Sequence, residues 1–351
     1  MKNSVRWLPA IIAPALIIGG VIAIPAIANA DETPPSKTAQ QVLVLVADAK
    51  DAAYSGTVEQ TSDLGLPEVP KVGPGSSATG TDPASTALDL LAADHTAKVF
   101  VDGPDKQRLQ VLDTLAERDV IHNGADVWAY DSKTKNVAHV TRPASDGADA
   151  TGPISPAQLA DKFIAAIEPS TDVSVTSTAT VAGRGVYQLV LTPKSGTTLV
   201  EDVTLSVDAK TGVPLQVVVD ARGQSSDAFS VGFSSIEFSA PDASTFEFTP
   251  PPGAHVTTPT LPSAGQDAQN HPEPTVTGTG WDSIVELPAG TVDASALAGL
   301  DAKSAQLLDQ LTTPVAGGRA LQTSLVSVLL LDDGRILAGA VPIESLEAAA
   351  Q

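Results

Sequence analysis

The chain has 351 residues, a formal net charge of -21 and no cysteine. Asp and Glu outnumber Lys and Arg by 41 to 20, so the chain lacks the cations that a nucleic acid partner requires. Without cysteine it forms no disulfide, thiolate nucleophile, cysteine zinc site or lipid-modified cysteine. The length predicts one large or two ordinary domains.

The N-terminal segment predicts export. Lys2 and Arg6 precede an apolar run over residues 8–28, and the small residues Ala28 and Ala30 flank Asn29. This pattern is typical of a secretory signal peptide over 1–30, cleaved after Ala30. The alternative is an N-terminal membrane anchor, because the run has about the 20 residues that a bilayer requires. Removing the segment changes the formal net charge from -21 to -23, so the mature extracytoplasmic protein would be acidic.

Residues 31–250 predict a few helices and many antiparallel strands. A helix is predicted over 37–52 with Ser36 as its N-cap, a short one near 86–93, and a third that begins at Pro156. Turn residues separate the remaining segments, which indicates an antiparallel meander. The predicted strands span 54–61, 96–102, 106–112, 118–123, 126–131, 136–141, 172–182, 185–192, 200–208, 213–221, 227–239 and 245–249.

The predicted sheet has too few helices to cover it. Alternation places Tyr187, Leu189 and Leu191 on one side of their strand, so one sheet face is apolar. About eleven strands share that face, and only three candidate helices are available. The sheet must either curl and pack its own side chains or leave a lined cavity. Trp128 and Tyr130 also share a side, as ordinary core or as part of such a cavity.

A Pro- and Gly-rich linker is predicted over 251–280, followed by a small α+β domain over 281–351. In that domain we expect a helix near 294–311, a hairpin of 320–331 with 334–341, and a last helix from Pro342. The strand within 325–331 is almost continuously apolar, which predicts a central position in its sheet.

The sequence contains no pattern that indicates catalysis or metal binding. No two of the five histidines are three or four residues apart, and the nucleophile, zinc-helix and calcium-loop motifs are absent. We therefore predict a protein with no metal, no cofactor and no catalytic residues, which is not an enzyme.

Four segments resemble the LolA and MucB/RseB superfamily of bacterial envelope proteins: Ala53–Gln60, Val99–Arg108, Val120–Tyr130 and Val207–Leu215. The resemblance covers roughly residues 36–252, and the tail from Trp281 is similar in layout to the second domain of RseB-like proteins. It implies a mainly β (α+β) fold, an antiparallel half-open β-barrel wrapped around helices, whose concave apolar face binds acyl chains. Unlike the relatives that are lipoproteins, this chain has no cysteine after its signal segment.

The resemblance predicts an exported binding protein that holds acyl chains of lipids or lipoproteins, as a lipoprotein carrier does. The alternative is an RseB-like regulator that binds a membrane-bound anti-sigma factor or another envelope partner. Nucleic acid is not an expected partner. The apolar lining candidates are Tyr54, Val58, Phe100, Trp128, Tyr130, Tyr187, Leu189, Leu191 and Phe229.

Overall fold

The computed structural model describes residues 34–66, 92–113, 116–141, 156–259, 273–290 and 309–351. The predicted signal segment and most of the predicted helices near 86–93 and 294–311 lie outside these ranges. Within them, the α-helices are α1 (Ala39–Asp48), α2 (Pro156–Ile167) and α3 (Ile343–Ala349).

The first sheet contains twelve strands in the order β12-β6-β5-β4-β3-β2-β1-β11-β10-β9-β8-β7. They are β1 (Ala53–Ser62), β2 (His95–Asp102), β3 (Lys106–Asp113), β4 (Ala116–Asn123), β5 (Asp126–Asp131), β6 (Asn136–Thr141), β7 (Thr171–Val181), β8 (Arg184–Pro193), β9 (Val200–Asp208), β10 (Pro214–Ala221), β11 (Phe229–Glu237) and β12 (His255–Thr257). All neighbours are antiparallel except β12 and β6, which are parallel. The predicted mainly β, antiparallel architecture is confirmed, and the sheet is open, with β12 and β7 at its edges.

A second sheet contains six strands in the order β13-β14-β18-β17-β16-β15. They are β13 (Thr275–Thr277), β14 (Ile284–Leu287), β15 (Thr313–Val315), β16 (Gly318–Gln322), β17 (Ser327–Leu331) and β18 (Ile336–Gly339). The apolar strand β17 is an interior strand, as predicted. The predicted long strand over 320–331 is wrong, because the Thr323 hydroxyl accepts hydrogen bonds from the backbone N–H groups of Leu325 and Val326 and makes a turn there.

Two predicted elements of the first sheet also differ from the structure. The N-cap of α1 is Thr38 and not Ser36, because Thr38 and Gln41 form a reciprocal capping box. No strand forms over 245–249, where a short 3-10 helix begins after Asp242, whose carboxylate accepts a hydrogen bond from the backbone N–H of Ser244. We call residues 242–257 the strap, since this segment leads from the end of β11 to β12 at the far edge of the sheet.

The strand register shows which side chains share a face of the first sheet. Residues directly opposite one another in paired strands point to the same side, so each face can be followed from strand to strand. One face is apolar from β8 to β2. It carries Tyr54, Val58, Val99, Val101, Tyr187, Leu189, Leu191, Val203, Leu205, Val217, Val219, Phe229, Val231 and Phe233.

This apolar face is the concave one. Cα atoms of β7 and β11 approach within 8 Å although three strands lie between them, whereas a flat sheet would separate these strands by about 19 Å. Val173 and Val175 of β7 and Phe229 and Val231 of β11 lie on the apolar face and pack against one buried cluster there. The two strands therefore approach each other on the apolar side, so the sheet curls toward that face.

Helix α1 covers the concave face over β8–β10. Val42 is fully buried in a cluster with Tyr187, Leu189 and Leu205, and α2 packs against α1. The approach is closest at Gly212, where φ is +79° and an added Cβ would lie 2.2 Å from the carbonyl oxygen of Leu45. Glycine is therefore the residue that this contact permits.

The second sheet is attached to the first through Trp281. This side chain is 7% exposed, packs in the same cluster as α1, and its Nε1 donates to Thr171 Oγ1 at 2.9 Å. Nearby, the carbonyl oxygen of Ala340 accepts hydrogen bonds from Leu199 N and Thr198 Oγ1. The two sheets therefore share one apolar cluster, although the predicted division at 250 and 280 stays a prediction.

We expect Trp281→Ala to lower the free energy of unfolding by about 3–5 kcal/mol, because it removes a buried indole and leaves a cavity. Trp281→Phe keeps an aromatic ring and loses the bond to Thr171, so its loss should be clearly smaller. Urea unfolding followed by circular dichroism measures both. Equal, small losses for the two variants would show that Trp281 does not join the sheets.

Candidate functional site

The concave face consists of a filled half and an open half. In the filled half, formed by β1 and β7–β11, Tyr54, Tyr187 and Leu189 are at most 1% exposed. Over β3–β5 the same face reaches the surface, where Leu109 is 38% and Val120 46% exposed. Among the described residues, the open half is thus where an apolar ligand can touch the concave face without displacing the core.

Five apolar residues lie directly opposite one another across β2–β6, and we call them the apolar row. They are Val99, Leu109, Val120, Ala129 and Ala138. Val99 is buried at 8% exposure, Ala129 is exposed and Ala138 is half-buried. The row therefore begins in the core and continues onto the surface.

The rows on either side of the apolar row contain polar side chains together with valines at 101, 111 and 127. Gln107 and His122 are paired neighbours on one side, two residues before Leu109 and two after Val120. On the other side lies Arg118, whose Nε is 3.3 Å from the carboxylate of Asp113. An apolar strip with a polar rim is typical of a recognition surface.

The nine predicted lining residues are divided between the two faces. Tyr54, Val58, Tyr187, Leu189, Leu191 and Phe229 lie on the concave face, and the first four are buried by the chain itself. Phe100, Trp128 and Tyr130 lie on the convex face. The buried Val99 and Val101 of β2 point to the other face, the concave one. That any of them contacts a ligand stays a prediction.

The strap covers the convex aromatic residues. Trp128 stacks on His139 with 3.7 Å between ring centroids, and Phe248 of the strap lies 5.5 Å from Trp128 and 5.7 Å from Tyr130. Arg108 Nη1 donates to the carbonyl oxygen of Thr245 in the strap. These aromatic residues therefore have partners within the chain, on the face away from the open half.

Burial also determines the chemistry of Tyr54 in the filled half. Its ring meets Phe233 edge to face, with centroids 5.8 Å apart. Burial raises the pKa of Tyr54 to about 12, so the phenol stays protonated at neutral pH. The filled half is thus uncharged at this position and consists mainly of apolar side chains.

Leu109 and Val120 are candidate site residues that the sequence analysis missed. A signal was present, since Leu109 and Val111 alternate with Arg108 and Gln110 along β3. Alternation alone does not distinguish these exposed apolar positions from the buried ones of β8, where aromatic and branched residues alternate more clearly.

Two carboxylates oppose each other on the convex face of β9 and β10. Asp202 and Asp220 are directly paired across the strands. Burial, with the nearby charges of Asp202, Asp227 and Glu201, raises the pKa of Asp220 above its ordinary value of 3.8. Burial, with a lesser contribution from Glu201, raises that of Asp202 in the same direction, although a hydrogen bond from Thr204 opposes it.

A raised folded-state pKa means that the folded state binds the proton more tightly than the unfolded state, so stability falls as pH rises above about 3.8. We expect Asp220→Asn to stabilise the protein at pH 7 by about 0.2–1 kcal/mol, the range for a cross-strand pair. The gain should shrink as the pH is lowered toward 3.8. Urea unfolding across this pH range measures it, with Asp105→Asn as the control, because Asp105 is an exposed turn residue of the same charge. A gain that grows toward acid pH would contradict the repulsion.

Within the described ranges, no three His, Asp or Glu side chains are grouped so as to hold a metal ion. In the same part of the chain, no helix has the length and apolar composition needed to cross a membrane.

The structure thus defines a mainly β protein with one large curled sheet, an apolar concave face and a second small sheet. The chain belongs to the DUF2092 family, described as "predicted periplasmic protein", which matches residues 78–258, just over half of the chain. No curated protein matches it. The family description agrees with the predicted export, whereas cleavage after Ala30 stays a prediction.

Solved structures of envelope proteins are similar to this chain. The MucA/MucB complex of Pseudomonas aeruginosa matches with 18% identity and a TM-score of 0.44, covering 89% of this chain and 96% of that one. A LolA superfamily protein from Nitrosomonas europaea matches with 11% identity and a TM-score of 0.25, covering 61% and 99%. A putative outer membrane lipoprotein-sorting protein domain from Vibrio parahaemolyticus matches with 12% identity and a TM-score of 0.22, covering 57% of this chain and 93% of that one. At these identities and TM-scores, no function transfers to this chain.

Proposed function

We propose that this protein is an exported, non-enzymatic binding protein that holds an acyl chain of a lipid or lipoprotein along the apolar row. The observation that carries the proposal is the exposure of Leu109 and Val120 on the concave face, because the filled half of this face is mostly buried by the chain itself. An acyl chain would cover these side chains and continue the contacts of the core.

The size of the row fits this ligand. Its five residues span four strand spacings, or about 19 Å. One leaflet of a bilayer core, the length that one acyl chain occupies, is about 15 Å. A chain of this length lying across the strands would therefore cover about three strand spacings and contact about four members of the row.

The energy available is sufficient for binding. Full burial of an acyl chain contributes up to about 0.8 kcal/mol per CH2, or roughly 10 kcal/mol for sixteen carbons. A chain covered on one side gains about half of that, before the cost of ordering is subtracted. The proposal therefore predicts a Kd of about 0.1 mM or weaker on the row alone.

We expect Leu109→Asp to weaken binding of a fluorescent fatty acid by about tenfold or more, because the carboxylate would meet the hydrocarbon chain. The matched control is Leu112→Asp. Leu112 lies on the same strand and is 37% exposed, but on the convex face, so this variant should bind like the wild type. Fluorescence titration measures the three affinities.

Equal losses in the two variants, or no fatty acid binding by the wild type, would refute the acyl site on the row. Native mass spectrometry of protein purified from its own host then identifies the natural lipid, because a bound lipid adds its own mass to the folded chain.

The alternative partner is a membrane-bound envelope protein such as an anti-sigma factor. The observation in its favour is the polar rim formed by Gln107, His122 and Arg118, since protein interfaces combine an apolar centre with such a rim. A photo-crosslinking residue at Val120, used in membranes of the host, distinguishes the two. Crosslinks to one protein favour the regulator, and crosslinks to lipid favour the carrier.

A further inference from the structure

The edges of the two sheets differ greatly in length. Of the four edge strands in the described ranges, β12, β13 and β15 have three residues each, and β15 contains Pro314. Short strands and proline are ways in which proteins block the addition of another strand. The fourth edge strand, β7, has 11 residues and is the exception.

Strand β7 also lacks the charges that usually protect an edge. It contains no Lys, Arg or Pro, and its one charged residue is Asp172, whose carboxylate lies 3.6 Å from Lys194 Nζ. Within the described residues, its backbone pairs with β8 alone. A bulge between Thr176 and Ala179 interrupts the register, so the regular stretch of this edge is 171–176.

We propose that β7 pairs antiparallel with β7 of a second copy of this chain, with the twofold axis at Ser174. In this register Asp172 faces Thr176 of the second copy, and Val173 faces Val175. No like charges are opposed, and a threonine hydroxyl can donate to the carboxylate. The edge is thus complementary to itself, as a twofold interface requires.

The surroundings of β7 favour a second copy over a basic partner. Asp172 already has Lys194 as its counter-ion, so the strand presents no free charge that would select a cationic segment. Val173 and Val175 pack against the cluster beneath α1, so the paired valines would join the concave clusters of both copies. Because each copy is acidic, with a formal net charge of -21 over the full chain, salt should strengthen the dimer.

Sedimentation velocity of the mature protein over a range of concentrations, at low and high salt, tests the dimer. We expect a concentration-dependent dimer that Ser174→Lys weakens at least about tenfold, because two lysines would meet at the axis. The matched control is Thr96→Lys, which places the same charge at an exposed position of the interior strand β2 and should leave the dimer unchanged. Thermal unfolding of both variants confirms that they fold.

Crosslinking tests the register, since the chain contains no cysteine of its own. Ser174→Cys should give a disulfide-linked dimer under mild oxidation, because residues directly opposite in an antiparallel pair have Cβ atoms about 4.5–5.5 Å apart. The control is Thr180→Cys, because Thr180 lies on the same strand away from the axis. This variant should run as a monomer in denaturing electrophoresis without reducing agent. A protein that is monomeric at every concentration overturns the proposal. A dimer that persists in the Ser174→Lys variant also overturns it. Equal disulfide crosslinking by the Ser174→Cys and Thr180→Cys variants does the same.

Discussion

Burial of the concave face is the constraint on which the rest of the structure depends. The large sheet is apolar on one side over most of its width, and only α1 lies directly on that side within the described residues. The curl of the sheet buries more of this face, because it packs the hairpin of β7 and β8 against β1 and β11. Arg184 helps to hold this curl, since it forms an ion pair with the buried Asp208 and lies over the ring of Phe238 at 4.5 Å.

The convex face is covered by a different device, the strap. Phe246 of the strap is 1% exposed. Half-buried Arg108 forms an ion pair with buried Asp119, 2.8 Å apart, and also donates a hydrogen bond to the carbonyl oxygen of Thr245 in the strap. A buried ion pair contributes little net stability on its own, but loss of one partner would leave an uncompensated charge. The pair therefore fixes the position of the strap on the convex face. The strap continues into β12, which pairs with β6 at the edge of the sheet.

Strand positions, the faces of individual strands and the central place of β17 could be predicted, because they depend on local alternation and turn chemistry. Alternation assigned Tyr187 and Leu189 to one side but gave no direction of curl, which arises from contacts between strands far apart in sequence. It likewise could not show that Trp128 and Leu189 lie on opposite faces, since that requires the register of every strand between them. The sequence predicts a strand and a linker over the strap, because the pairing of the strap with β6 is parallel and non-local and leaves no local signal.

The open half of the concave face can remain exposed without recruiting another strand, because it lies on interior strands of the sheet. Leu109 and Val120 are on interior strands, whose backbone groups are paired on both sides, so no foreign strand can add there. Stability alone would accept polar residues at these two positions, as Gln107 and His122 show at neighbouring positions of the same face. Leucine and valine leave apolar surface in water, which is a cost that a ligand covering them removes. This difference between two adjacent rows of one face is the physical reason to look for the ligand on the apolar row and not in the filled half.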